Sequence, residues 1–155
     1  MISMIEEMKT RMIATPKSWA STACTTEWID MRAVNQLDFV VATGAWAGGT
    51  AAVTLKQSVN ASGSSSAALG LSTYYTNDGS TSVDTLTKTT AASSTFNLDT
   101  ASAIYRVVVR PDMLTDGKTH VRIAIASPGA NADFYCVLAE GQTKFKSASP
   151  PTIIT

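Results

Sequence analysis

Few residues in this chain have the types and spacing that chemistry requires. In "GAWAGGTAAVTLKQS" (44–58), Gly44 and Gly49 stand five apart, the glycine spacing of a phosphate-binding loop. That loop needs a lysine after the second glycine and then a helix, whose N-terminal amides hold the anion. Here Thr50 follows Gly49. Beyond it Val53, Leu55 and Gln57 alternate with Thr54, Lys56 and Ser58, which is the period of a strand. With "LDFVVAT" (37–43) ahead of it, the stretch predicts a β-hairpin whose glycines relieve the turn, and no nucleotide site.

Other constellations are weaker still. A hydrolase triad would have to recruit His120, the single histidine, and no G-x-S-x-G accompanies it. "TNDGSTSVD" (76–84) offers Asn77, Asp78 and Asp84 but departs from the calcium-loop pattern and reads as a turn. Cys24 and Cys136 are far apart and form no C-x-x-C, so two free thiols are expected. Cys136 shares an alternating face with Phe134 and Leu138, and is expected to be buried. No enzyme activity, cofactor or metal is expected. Trp46, on the tip of the predicted hairpin, either folds back over the core or meets a partner.

Charge narrows the class further. Lys and Arg (12) balance Asp and Glu (12), which argues against a general nucleic-acid binder. Charged residues make up 15% of the chain, below the ~25% of typical globular proteins. A surface so weakly ionised guards poorly against association and hints at assembly. No apolar run approaches membrane-helix length, so no membrane is expected as partner. Glu6 and Glu7 interrupt the place where a secretory signal would carry its apolar stretch.

The elements that would position these residues are mostly strands. Segments 37–43, 51–58, 103–110, 120–126 and 133–140 are short, β-branched or aromatic, and bounded by turn residues. Weaker candidates cover 27–34, 71–76, 84–90 and 94–98. This spacing predicts an all-β antiparallel sandwich, with a jelly roll preferred and an immunoglobulin-like sandwich second. Alternation points Tyr105, Val107, Val109, Val121, Ile123 and Ile125 inward. If the 103–110 and 120–126 strands are neighbours, Arg106, Arg110, His120 and Arg122 form a basic patch or a solvated face.

Only the N-terminus reads as helix. Ile2, Ile5, Met8 and Met12 form an apolar stripe at steps of three or four, and Pro16 ends it. Residues 1–26 are therefore expected to be a helical or extended arm and 27–155 the sandwich. The arm crosses to a partner, docks on its own sandwich, or frays. Ile2, Ile5, Met8, Met12 and Trp46 are the candidate partner-binding residues.

Several stretches carry a resemblance: "LDFVVATGAWAGGTAAVTLKQS", "DTLTKTT", "IYRVVVRPDMLTDGKTHVRIAIASPGANADFYCVLAE" and "SPPTII". Together they resemble small virion proteins of tailed bacteriophages, over roughly residues 27 to 154. The resemblance implies a head decoration (cement) protein that binds the major capsid protein on the capsid exterior, made in the host bacterial cytoplasm. A homo-oligomer is expected, a trimer before a dimer, because three-fold positions are the most numerous on an icosahedral shell. A carbohydrate-binding or host-adhesion module, using Trp46, Tyr74 and Tyr75, and a tail or neck component are the alternatives.

Overall fold

The structure, a computed structural model, describes residues 8–77, 85–92 and 94–144. Twelve strands follow in chain order: β1 (Met8–Ser18), β2 (Cys24–Thr25), β3 (Ile29–Asp30), β4 (Val34–Thr43), β5 (Ala51–Ser58), β6 (Ala67–Ala68), β7 (Thr73–Thr76), β8 (Thr87–Thr90), β9 (Thr95–Leu98), β10 (Ile104–Val109), β11 (His120–Ile125) and β12 (Phe134–Thr143). One 3₁₀ turn, Pro111–Met113, follows β10.

Two antiparallel sheets pack face to face. The front sheet runs β1-β12-β4-β10-β7-β8. The back sheet is built on β11 and β5, with β2 and β3 along the free edge of β11, and β6 and β9 along that of β5. The pairs nest: β1 with β12, β2 and β3 with β11, β4 with β10, β5 with β9. A ribbon paired in this way and rolled over gives the strand order of a jelly roll. The hairpin β7–β8 is inserted in the β5–β9 connection and widens the front sheet.

Alternation fills the interior. Leu37, Phe39 and Val41 of β4, Val107 and Val109 of β10, and Val137 of β12 are fully buried from the front. Val53 and Leu55 of β5 and Val121, Ile123 and Ile125 of β11 meet them from the back. The six core positions expected on β10 and β11 are all buried.

Three expectations differ from the fold. First, residues 44–50 are not the turn of a hairpin. β4 lies in the front sheet and β5 in the back one, so the segment is a corner between sheets. Asp133, wholly buried, holds this corner by accepting the Ala47 and Gly48 amides at Oδ1 (2.5 and 3.3 Å). Gly49 has φ +90°, and a Cβ there would collide with the Pro128 carbonyl oxygen. A strand follows the corner, as the sequence predicts.

Second, β10 and β11 also lie in different sheets, which disperses the basic patch. Arg106 is on the front sheet, Arg122 sits 4.3 Å over the Trp28 ring on the back, and His120 is buried.

Third, the helix expected through Met8 and Met12 does not form there. Met8–Ser18 is an edge strand of 11 residues paired along β12, so this part of the arm docks on its own sandwich in extended form. A helix this short is marginal alone, and the free edge of β12 offers partners along most of the segment. Pro16 falls where the register shifts between Ala14 and Lys17, a place where an edge strand tolerates a missing N–H. Trp19 then pins the segment: its ring stacks 5.1 Å from that of Tyr135, and Nε1 donates to the Tyr135 carbonyl at 3.0 Å. Ile2 and Ile5 lie outside the described residues.

Candidate functional site

The outer face of the front sheet is built from the positions that alternate with the core. Strand register sorts its side chains into rows across the sheet. In one row Ile104 of β10 faces Ala42 of β4, which faces Cys136 of β12. In the next, Arg106, Val40, Leu138 and Met12 stand side by side on β10, β4, β12 and β1. A third row holds Val108, Asp38, Glu140 and Thr10. Phe134, at the start of β12, shares the face.

Two of these rows are mostly apolar. Met12 (48%), Ile104 (41%) and Phe134 (42%) are exposed, and with Val59 they are the exposed large hydrophobics among the described residues. Three of the four therefore sit on one face of one sheet. Val40, Ala42, Cys136 and Leu138 between them are half-buried.

Beside this strip lies a charged cluster. Arg106 donates to Asp38 Oδ2 from Nε (2.7 Å) and Nη2, and Nη2 also reaches Glu140 Oε2 at 3.4 Å. Gln36 donates from Nε2 to Asp38 Oδ1 at 2.9 Å, so both carboxylate oxygens are satisfied. Asp38 is only 3% exposed despite pointing away from the core. One guanidinium thus closes on two carboxylates, which leaves the cluster a single negative charge.

Comparison with protein families, curated proteins and solved structures finds no match to this chain. Its chemistry must be read from its own residues.

Of the candidate partner-binding residues, Met8 and Met12 reach the outer face at the β1 edge, Met12 the more exposed. Trp46 does not. It is half-buried against the core, and Nε1 donates to the Gly49 carbonyl at 3.2 Å, closing the corner over the sandwich. Cys136, expected to be buried, is half-exposed on the outer face, because Tyr135, Val137 and Ala139 fill the interior positions of β12 instead. Cys24 is the buried thiol, and burial pushes it up to about 11 against a smaller opposing pull from Lys17. Both cysteines are free.

Ile104, Phe134, Asp38 and Glu140 escaped the sequence reading as site residues. For Phe134 and the strip around it a signal exists: "FVVA" in β4 and "FYCVLA" in β12 are unbroken apolar runs. Such runs mark strands covered on both faces.

A second feature is a polar cleft of about 370 Å³ at one end of the sandwich. Tyr74 stacks on Phe96 (4.4 Å) at its floor, and Tyr105 donates its hydroxyl to Asp99 Oδ1 at 3.3 Å. Burial raises the Tyr105 phenol above its ordinary value. Asn77, Asn97 and Thr90 complete the wall. Tyr75 points to the opposite side of β7, beside Lys88 and Arg110, so Tyr74, Tyr75 and Trp46 do not form one aromatic platform. No group of three His, Cys, Asp or Glu side chains suited to a metal ion occurs among the described residues.

Proposed function

We propose that this protein is a structural component of a tailed-phage virion, a decoration protein that binds the outside of the assembled head and stabilises it. The observation that carries the reading is the outer face of the front sheet. A broad, largely apolar surface with its charges internally paired recognises another surface; it has no means of activating a substrate. A contiguous apolar patch on an otherwise polar protein marks such a contact. The resemblance of residues 27 to 154 to small virion proteins points to the major capsid protein as partner and the capsid exterior as location.

Mass action supplies the mechanism. A protein that binds the mature shell, and not its dissociated subunits, stabilises the shell by the free energy of each bound copy. Repetition over symmetry-related positions adds avidity, so individual contacts can be weak. The test is co-sedimentation of the purified protein with purified heads, together with its copy number per virion. Copies that scale with the symmetry positions of the shell support decoration. A handful per particle would instead mark a tail or neck component.

The polar cleft favours a second reading, a glycan-binding module. Tyr74 supplies an aromatic floor, and Asn77, Asn97 and Asp99 supply hydrogen-bonding groups for sugar hydroxyls. A glycan array distinguishes the two, because a decoration protein gives no signal on it.

A further inference from the structure

We infer that the outer face of the front sheet, at β1, β12, β4 and β10, is where copies of this chain join one another. The inference rests on the proposed reading of that face as a recognition surface and names a second copy, not the shell, as its occupant, so that the joined copies meet the shell through their other surfaces.

The first support is pattern. β4 and β12 are interior strands of the sheet, and over residues 39–42 and 134–139 they are apolar on both sides, yet in the single chain only one side is covered. Strands with this pattern belong between two layers. The second support is charge. Arg106 is taken up by Asp38 and Glu140, which leaves this cluster one negative charge, and Lys88 on β8 of the same sheet, outside the contact itself, offsets it. An oppositely charged partner finds nothing here to select. A second copy, of zero formal net charge, meets no repulsion.

The third support is size. Four strands 4.8 Å apart, over about nine residues rising 3.3 Å each, present on the order of 600 Å² per copy. Two such surfaces bury on the order of 1,200 Å², where stable specific interfaces begin. Ile104 and Phe134 at one end and Met12 at the β1 edge then act as anchors, with Val40, Leu138 and Cys136 packed between them.

The experiment is the mass of the full chain in solution by sedimentation velocity, with the variants Ile104→Asp, Phe134→Asp and Val59→Asp. The first two place a charge on the face at already exposed positions, so the fold, checked by circular dichroism, is retained. Val59, 39% exposed and off this face, is the control. The unsubstituted chain and Val59→Asp are expected at a multiple of 16.3 kDa. Each face variant is expected to self-associate roughly 30-fold more weakly. Alkylation of Cys136 gives a second readout, slow in the assembled protein and faster in the face variants. A monomeric unsubstituted chain at tens of micromolar, or face variants that associate as before, would overturn the inference. Co-sedimentation with heads, run alongside, separates the two claims. A monomer that binds heads leaves the decoration reading standing without this contact, and an oligomer that ignores heads does the reverse.

Discussion

Arg106 on β10 reaches diagonally across the front sheet and closes two hydrogen bonds on a single oxygen of Asp38 on β4, a carboxylate buried on the side of the sheet that faces away from the core. Removing one partner of such a pair costs more than removing both, because the survivor is left buried and unpaired. Arg106→Met is therefore expected to cost about 3 kcal/mol. The double variant Arg106→Met with Asp38→Leu should recover most of that loss. Urea unfolding of the two singles and the double measures the coupling.

The N-terminal strand is held by Trp19. Trp19→Ala loses the stack on Tyr135 and the bond to its carbonyl, an expected loss of about 3–5 kcal/mol. Trp19→Phe keeps most of the packing and loses the indole donor, an expected loss of about 1–2 kcal/mol. Chemical denaturation orders the two. Equal stability of both variants and the parent would mean that β1 is not docked as described.

The two thiols should behave oppositely. Cys136 is half-exposed and open to alkylation in a dissociated chain, while Cys24 waits for unfolding. Burial raises the Cys24 thiol from 9.0 to about 11. A raised folded-state value means a stabilising contribution fully present below pH 9 and lost as pH climbs through about 11. The contribution is on the order of 2 kcal/mol. Melting temperature should fall over that window, and fall less in Cys24→Ala. Identical slopes in the two proteins would contradict the assignment.

At the corner between sheets, Gly49→Ala meets two obstacles, the positive φ and the Pro128 carbonyl. A loss of about 1–3 kcal/mol is expected. The same corner should bind no nucleotide, because Thr50 stands where the lysine would be and β5 follows where the helix would be. Micromolar ATP affinity by calorimetry would contradict this.

Strand existence was legible because period 2 is a local signal. The segments at 51–58, 103–110 and 120–126 match β5, β10 and β11 to within a residue. Pairing was not legible, because it depends on which sheet the chain enters after each corner. "GAWAGG" has the composition of a hairpin turn, yet it carries the chain from β4 to β5 across the sandwich. The N-terminal stripe was ambiguous for a geometric reason. Positions four apart, as Met8 and Met12 are, share a face both in a helix and in a strand. The helical reading also took Ile5, three before Met8, and that odd step is the one a strand would not keep.

The outer face was half legible. Alternation in β12 shows two classes of residue but not which class faces in when both are apolar. Phe134, Cys136 and Leu138 read as core, yet Tyr135, Val137 and Ala139 occupy it. Long-range pairing decided the matter, since Val137 and Ala139 stand beside Val41 and Phe39 of β4 on the buried side. The Asp38–Arg106–Glu140 cluster is equally non-local, joining three strands from distant parts of the chain.

The most direct test of the decoration claim is binding to heads in two states. Purified protein is incubated with assembled heads and, separately, with the same shell dissociated into subunits, and bound protein is measured after sedimentation or pull-down. Saturable binding to assembled heads, little binding to subunits, and heads that withstand heat or chelator better when coated are expected. Absence of binding to assembled heads, or equal binding to free subunits without any gain in head stability, would contradict it.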